Sequence, residues 1–382
     1  MLPEKIELEI DTNYELVDGS KVHRAVFTKS SMEELHGYSV TMIADTIQPK
    51  APLSHLSEET DAGLRVSTIV ARFPRCILSE VNTHRVFSRN SASSRARSIK
   101  VVIADVMEDP YVPVFTENQR GMGGPIVSSK TQAAARKEWL TTRDFSVARV
   151  LSMLLGRRIE VADLRNDGWR NLTDEYYQRV YLDREEVEGS LNLHKQNVNR
   201  LLEPYMWHEA VITSTEWVNF IQLRDHDEAD PAIHAMAKLV SRLLDSSVPT
   251  ESVLHAPFAG ELSRKFTEDF ANGANPLDLF KLAFEAANYS SGASAQVSYR
   301  PVADGGTGAN PASLAERLLA MLHLSPFEHA AISSDWLHSL GIKESLTSNL
   351  SKSWTQHRAL VAHLQESSGK KTLNDLFEFI GS

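Results

Sequence analysis

The chain has 382 residues, of which 42% are hydrophobic and 24% are charged, and this composition is typical of globular proteins. It contains no apolar stretch long enough to cross a membrane, and its acidic, alternating start, MLPEKIELEI, is unlike a signal peptide. The formal net charge of −10 argues against a general nucleic-acid binder. A single cysteine, Cys76, excludes a disulfide scaffold and a Cys-based zinc site. We therefore expect a cytoplasmic protein with neither nucleic acid nor a membrane as its partner.

Strand-like patterns dominate the first part of the chain. The segments KVHRAVFTK and YSVTMIADTI alternate between apolar and polar residues, and LRVSTIVARFPRCILSEV is rich in β-branched residues. Cys76 lies within this last apolar segment, so we expect its thiol to be buried by packing. Residues 111–130 hold a central group of Gly and Pro, which predicts a long functional loop.

Helical patterns follow this loop. Thr213 and Glu216 have the spacing of a capping box, which predicts a helix start. The polar and charged segment 160–189 is predicted to be a solvated insertion. Three more helix starts are predicted where a capping residue precedes a proline at the first helical position, at Asp230, Asn275 and Asn310.

One short stretch of this acidic chain is strongly basic. NTHRVFSRNSASSRARSIK, residues 82–100, carries five Arg or Lys, five Ser and one His, and no acidic residue. Guanidinium groups bind phosphate through paired hydrogen bonds, and Ser hydroxyls can complete such a site. The stretch therefore indicates a site for a phosphorylated small molecule, with a solvated, salt-bridged loop as the alternative. The arginines that could converge on the phosphate are Arg85, Arg89, Arg95 and Arg97.

The spacing within this stretch resembles the signature of the flavin-dependent thymidylate synthases, the ThyX family. That signature is Arg-His-Arg, seven residues and Ser, usually followed by a small residue and Arg. Here His84-Arg85 is followed after seven residues by Ser93, and then by Arg95. The segment RLLEPYMWHEAVITSTEWVNFIQLR, residues 200–224, resembles the second block of the family.

Two later segments resemble blocks that precede the Arg-rich signature in most family members. SAQVSY, residues 294–299, is similar to an ARVSY-like strand, and LAERLLAMLHLSPFEHAA, residues 314–331, contains an HxSPFEH-like turn. The block order is therefore rearranged, as in a circular permutation, which chain termini at the surface tolerate. The resemblance covers three parts of the chain, at 65–135, 190–245 and 290–360.

The family methylates dUMP at C5, with methylenetetrahydrofolate as carbon donor, FAD as hydride carrier and NADPH as reductant. The resemblance implies the same reaction here, with no metal ligands, in a homotetramer whose sites form between subunits. It also implies an α+β fold, with a mixed or antiparallel sheet packed against long helices, as one catalytic unit over residues 1–382. This flavin chemistry needs no Cys nucleophile at the uracil ring.

The motif positions imply individual roles. Arg224 would be the catalytic residue, facing the uracil where a cation stabilises negative charge that develops on the ring. SNLSKSWTQHR, residues 348–358, is a further candidate contact segment. The residues implied to bind dUMP are Ser93, Ser94, Arg95, Arg200 and Arg224. The residues implied to bind FAD are His84, Arg85, Asn90, Asn219, Ser325 and Glu328.

The chain departs from the family pattern at several cofactor positions. Thr83 stands where the first Arg of the signature is usual, and Ser91 stands where many members have Glu. Thr213 and Thr215 replace an Asn and an Arg that elsewhere help to bind FAD. Two alternatives therefore stay open: a dUMP or dCMP hydroxymethylase, in which water rather than hydride quenches the methylene intermediate, and a non-catalytic nucleotide-binding homologue.

Other motifs carry less weight. HDEAD, residues 226–230, is interpreted as a charged loop before a helix rather than as a metal site. His208 and His329 fit either satisfied core histidines or active groups. The apolar side chains of the second block are interpreted as core packing, at Trp217, Phe220 and Leu223.

Overall fold

The structure, a computed structural model, describes residues 6–16, 19–49, 64–93, 97–121, 123–297, 309–342 and 348–368. Within these ranges the fold is α+β, as predicted, with four strands near the start and most helices later. The predictions for Ser94, Arg95 and residues 298–299 lie outside the described residues. None of the described helices is both long and apolar enough to span a membrane.

The strands form two sheets in the described part of the chain. The larger sheet has the order β1-β2-β3-β4-β6-β5 with all neighbours antiparallel, and β7 pairs in parallel with β3. The smaller sheet is antiparallel, with the order β10-β9-β8. The strands are Leu8–Glu15 (β1), Lys21–Phe27 (β2), Ser39–Ile47 (β3), Arg65–Pro74 (β4), Ser88–Ser91 (β5), Trp207–Ser214 (β6), Thr250–Glu251 (β7), Leu254–His255 (β8), Ala331–Ser333 (β9) and Trp354–Gln356 (β10).

Three helices of the described residues begin where an Asx-Pro cap predicts. Asp230, Asn275 and Asn310 each accept a hydrogen bond from the backbone N–H two positions on, as the pattern predicted. The helices are Leu78–Val81 (α1), Ile99–Glu108 (α2), Ser129–Leu155 (α3), Gly168–Tyr177 (α4), Lys195–Asn199 (α5), Val218–Arg224 (α6), Pro231–Ser246 (α7), Gly260–Ala271 (α8), Pro276–Gln296 (α9), Pro311–Ala320 (α10), Ser334–Ser339 (α11) and His357–Ser368 (α12).

The larger sheet is covered on both faces, because alternate residues of a strand point to opposite sides. Ile69 of β4 belongs to one buried cluster with Ile233 and Met236 of α7. The intervening Val70 packs instead with Val211 of β6 and with Val297, which directly follows α9. Consequently α7 lies on one face of the sheet, and the end of α9 lies on the other.

The segment 160–189 is less solvated than its composition indicated. It folds into a 3-10 turn, α4 and a π-helical turn. Leu164, Trp169 and Tyr176 are buried in a cluster that includes Leu151 of α3. The charged residues of the segment stay at the surface, so polarity marked its outer face rather than the whole segment. That the segment is an insertion relative to the family stays a prediction.

Four local predictions are wrong. Cys76 is exposed, because β4 ends at Pro74 and the following 3-10 turn buries Ile77 instead. Thr213 does not cap a helix; it belongs to β6, and α6 begins five residues further on, at Val218. Residues 294–296 end α9 rather than forming a strand. Leu223 is 56% exposed, although Trp217 and Phe220 are buried as predicted.

Candidate functional site

The edge strand β5 is the scaffold of the candidate site. Its period-two alternation sends Ser88 and Asn90 to one side, where both are buried. Arg89 faces the other side, where its Nη1 donates to the carbonyls of Val81 at 3.0 Å and His84 at 3.1 Å. The strand thus separates two clusters of polar side chains, and each contains residues predicted from the sequence.

The first cluster surrounds Arg224, the last residue of α6. Its Nε donates to His84 Nε2 at 3.2 Å, and its Nη2 donates to Thr83 Oγ1 at 3.3 Å. Its Nη1 forms an ion pair with Glu80 Oε2 at 3.3 Å. Only 15% of the Arg224 side chain is exposed. The structure therefore joins the predicted catalytic residue to the predicted cofactor residue His84.

His84 is held as a neutral imidazole. Because its Nε2 accepts a hydrogen bond from Arg224, the ring hydrogen lies on Nδ1. Burial lowers the pKa of His84, and the positive charges of Arg224 and Arg89 lower it further. The ring stacks on Phe87 with centroids 5.6 Å apart and meets the edge of Phe220 at 5.0 Å. These aromatic contacts fix the plane of the imidazole and limit its access to water.

The second cluster lies on the other side of β5 and joins three distant parts of the chain. Ser325 Oγ donates to Asn90 Oδ1 at 3.5 Å, and Asn90 Nδ2 donates to the carbonyl of Ser294 at 3.4 Å. The Ser294 hydroxyl is buried and has no hydrogen-bond partner among the described residues. A polar atom without a partner in a buried position indicates a place for a ligand atom or a water.

The segment 348–358 closes this second cluster. Gln356 Nε2 donates to Ser88 Oγ at 2.7 Å and to the carbonyl of Glu328 at 2.9 Å. Arg358 forms an ion pair with the Glu328 carboxylate. Burial lowers the pKa of Arg89, and the negative charge of Glu328 partly offsets this effect. Arg89 thus lies between the two clusters electrostatically, a role that the sequence alone did not single out.

A buried chain of hydrogen bonds runs beneath the site from the larger sheet to the smaller one. His255 Nδ1 is 2.8 Å from Thr46 Oγ1, and its Nε2 is 2.8 Å from Thr68 Oγ1. Thr68 Oγ1 lies 2.6 Å from Thr213 Oγ1, which lies 2.9 Å from His329 Nδ1. Thr213 is therefore committed to the interior, which explains why it does not cap α6. His329 Nε2 has no hydrogen-bond partner among the described residues.

The remaining predicted residues lie around this centre. Ser93 lies two residues beyond the end of β5 and is partly buried, whereas Arg85, Asn219 and Arg200 are exposed. Arg97 forms an ion pair with Asp105 of α2, so the acidic partner that the basic stretch itself lacks comes from the next helix. Arg97 is consequently occupied, which removes it from the set of arginines available to a phosphate.

Two other features lie away from the site. A cleft of about 550 Å³ between α8, α9 and α10 is lined by charged residues that include Lys265, Glu285 and Glu316, and by none of the predicted site residues. In the described part of the chain, no group of three His, Cys, Asp or Glu side chains is arranged to bind a metal ion. His226, in the segment 226–230, instead accepts a hydrogen bond from the backbone of Glu228 at 3.2 Å.

Sequence reasoning missed Glu80, named Arg89 only as a candidate phosphate ligand, and gave Gln356 only a general contact role. Glu80 precedes the signature and Arg89 lies inside it, but a linear motif does not show which side of β5 a residue faces. The alternation Ser88, Arg89, Asn90 was the available signal, because it assigns Arg89 to the side of His84 once the stretch is known to be a strand.

No protein-family model and no curated protein sequence matches the chain. Among solved structures, the chain is similar to the crystal structure of a UMP/dUMP methylase, PolB from Streptomyces cacaoi, bound with 5-Br UMP. The two share 11% sequence identity with a TM-score of 0.33, and the match covers 54% of this chain and 88% of the other. A similarity of this size does not assign the chain to a family.

Proposed function

We propose that the chain is a flavin-dependent enzyme that transfers a one-carbon unit from methylenetetrahydrofolate to C5 of dUMP, giving dTMP. One observation carries the proposal: three separate motif blocks meet at β5. Arg224 of the second block contacts His84 of the first, 140 positions away. Asn90 of the first block contacts Ser325 of the block 235 positions further on. Residues chosen by motif alone would not converge in this way if they were only surface polar residues.

The residues at β5 suit a flavin. His84 packs with Phe87 and Phe220 in an aromatic cluster beside β5, and Asn90 with Ser325 offers an amide and a hydroxyl. Two buried polar atoms without partners among the described residues, Ser294 Oγ and His329 Nε2, supply further hydrogen-bonding capacity. When bound, FAD would supply the hydride, with NADPH as reductant. The residues that would hold it are His84, Arg85, Asn90, Asn219, Ser325 and Glu328.

The chain's own residues would bind dUMP and stabilise charge. Arg224 would present its guanidinium to the pyrimidine ring, and a preorganised cation at this point is typically worth about 3–4 kcal/mol. The phosphate would bind at the far end of β5, through Ser93 with Ser94, Arg95 and Arg200. His84 would not donate a proton through Nε2, because that atom accepts from Arg224.

The first experiment tests cofactor and product together. The purified chain is titrated with FAD, then incubated with dUMP, methylenetetrahydrofolate and NADPH, and the nucleotide product is identified by mass spectrometry. We expect flavin uptake and dTMP. A hydroxymethyl nucleotide would indicate the alternative hydroxymethylase, and nucleotide binding without any product would indicate a non-catalytic homologue. Failure to take up either FAD or dUMP would contradict the proposal as a whole.

The proposed assembly is a homotetramer with sites between subunits. The exposed faces of Arg85 and Asn219 are where such a second subunit would contribute. Analytical ultracentrifugation of the FAD-loaded protein checks this, and a monomer that retains full activity would contradict it.

A further inference from the structure

Arg224 is held far more firmly than its position in the chain requires. It ends α6, a helix of seven residues whose other outward side chains include the exposed Val218 and Leu223. An arginine at the end of a short surface helix ordinarily keeps most of its rotamer freedom, because fixing a long side chain costs conformational entropy. Here each of its three guanidinium nitrogens has a partner.

All three partners come from one short segment, Glu80 to His84, at the end of α1. Thr83 Oγ1 donates its own proton to the carbonyl of Glu80 at 2.6 Å. Its hydroxyl can therefore act only as an acceptor toward Arg224. His84 Nε2 is likewise an acceptor, and Glu80 supplies a carboxylate. The segment thus presents three acceptors and no competing donor to a single guanidinium.

We call the contacts of Glu80, Thr83 and His84 with Arg224 the clamp. Counting hydrogens shows which N–H groups of Arg224 the clamp leaves available. A guanidinium has five N–H groups, and the clamp uses one on Nε, one on Nη1 and one on Nη2. One N–H on Nη1 and one on Nη2 therefore have no acceptor among the described residues. Two donors on neighbouring nitrogens match two acceptors on one edge of a planar ligand.

We propose that Glu80 and Thr83 are positioning residues that orient Arg224 toward the pyrimidine ring, an inference that rests on the function proposed above. They act through Arg224 and do not themselves touch the substrate. Thr83 occupies the place where the resembling family usually has an arginine, and here its hydroxyl serves Arg224 instead.

The clamp is tested first without any assay of activity. Exchange of the Arg224 Nε–H with solvent is followed by NMR, with the signal assigned by its absence in Arg224→Lys. We expect exchange to speed up about tenfold or more in Thr83→Val, and Thr83→Ser to restore slow exchange. Thr142→Val is the matched control, because Thr142 also donates to a nearby carbonyl, that of Glu138 at 2.9 Å, but lies on α3. Unchanged exchange in Thr83→Val would overturn the clamp itself.

The second part of the test measures turnover and dUMP binding in the same variants. In Thr83→Val and Glu80→Gln we expect turnover to fall about tenfold, the usual effect of losing one hydrogen bond to a charged group. The Kd for dUMP should change less, Thr83→Ser should recover most of the turnover, and each variant combined with Arg224→Lys should add little further loss. Glu108→Gln, which removes an exposed carboxylate partner of Arg170, is the matched control for Glu80→Gln.

The outcomes separate the two proposals. If the wild-type protein turns over dUMP but both variants match it, the positioning role is wrong and the proposed function stands. If the wild-type protein neither binds nor converts dUMP while the exchange results hold, the proposed function fails and the clamp remains as a structural feature. A parallel loss of melting temperature and every activity, without recovery in Thr83→Ser, would also overturn the positioning role.

Discussion

Arg224 is the residue on which the chemistry proposed for this chain depends most directly. Arg224→Lys keeps the positive charge but loses the planar fork that reaches His84, Glu80 and Thr83 together. We expect a large fall in turnover with dUMP, a smaller change in dUMP affinity, and little change in flavin reduction by NADPH. Stopped-flow measurement of the two half-reactions checks this.

The control for this variant is Arg170→Lys, at an exposed ion pair with Glu108. If both half-reactions of Arg224→Lys decline together with its melting temperature, Arg224 is a scaffold residue and its assignment to the site is wrong.

Asn90 offers a second test at the residue scale, on the other side of β5. It is 8% exposed and contacts both Ser325 and the carbonyl of Ser294. Asn90→Ala removes a buried donor and acceptor, and the loss of such contacts typically costs about 1–3 kcal/mol. We expect the affinity for FAD to fall about tenfold or more. The affinity for dUMP should change less, because Arg224 lies on the other side of β5. Fluorescence titration with FAD measures the effect, with the exposed Asn272→Ala as control; equal affinity in both variants would contradict the cofactor assignment.

The residues of the candidate site divide into those that a motif can predict and those that need the fold. His84 and Arg224 were predicted from the family signature, and the structure brings them into contact. Glu80 was not predicted, and Arg89 was predicted only as a phosphate ligand, because the partners of both depend on how α1 leads into β5. Cys76 was misjudged because an apolar run does not reveal where a strand ends. A sequence motif therefore predicts which residues belong to a site better than it predicts the face of a strand on which each side chain lies.

Helix starts are the elements that the sequence predicted best, because a cap is a local interaction. Asn275 accepts from the N–H groups of Leu277 and Asp278 at the start of α9, the helix that carries Ser294 to the site. Asn275→Ala should lower the free energy of unfolding by about 1 kcal/mol. Urea unfolding checks this against Asn272→Ala, which lies just outside the cap. An equal stability for the two variants would contradict the capping role.

The helix start predicted at Thr213 is wrong because long-range contacts outweigh the local capping pattern. Thr213 lies in a buried chain between Thr68 and His329. Thr213→Val removes the partner of His329 Nδ1 and leaves Thr68 Oγ1 with His255 alone, which should cost about 1–3 kcal/mol of unfolding free energy. Removing the facing hydroxyl as well, in Thr68→Val with Thr213→Val, should cost less than the sum of the single variants. Additive losses in urea unfolding would show that the two hydroxyls do not interact.

At the scale of the whole molecule, the site depends on contacts between distant parts of the chain. The contact between Asn90 and Ser325 spans 235 positions, and that between Ser88 and Gln356 spans 268. A linear sequence gives no direct measure of such proximity, so the three blocks could be related only through a resemblance. The structure shows their convergence on β5, whereas the permuted origin of the block order stays a prediction.

Stability of the whole fold should depend on pH through its buried histidines. Burial lowers the pKa of four of them in the described residues to about 3, at His208, His255, His329 and His357. In the unfolded chain their pKa returns to about 6.5, so between these values the unfolded state binds more protons than the folded state. Stability is therefore fully present above about pH 6.5 and falls as the pH drops. Each histidine contributes a loss of roughly 1.4 kcal/mol per pH unit within that window.

Urea unfolding at pH 7, 6 and 5 would measure this dependence, in a range where most carboxylates remain ionised. We expect a steep loss of unfolding free energy as the pH falls. In His255→Gln the slope against pH should correspond to about one proton fewer, even though that variant is less stable overall. His338→Gln is the matched control, because His338 is exposed on α11. A stability that does not vary between pH 7 and 5 would show that these histidines are solvated or protonated in the fold. If they are protonated, the hydrogen-bonded chain from Thr46 to His329 is charged rather than neutral.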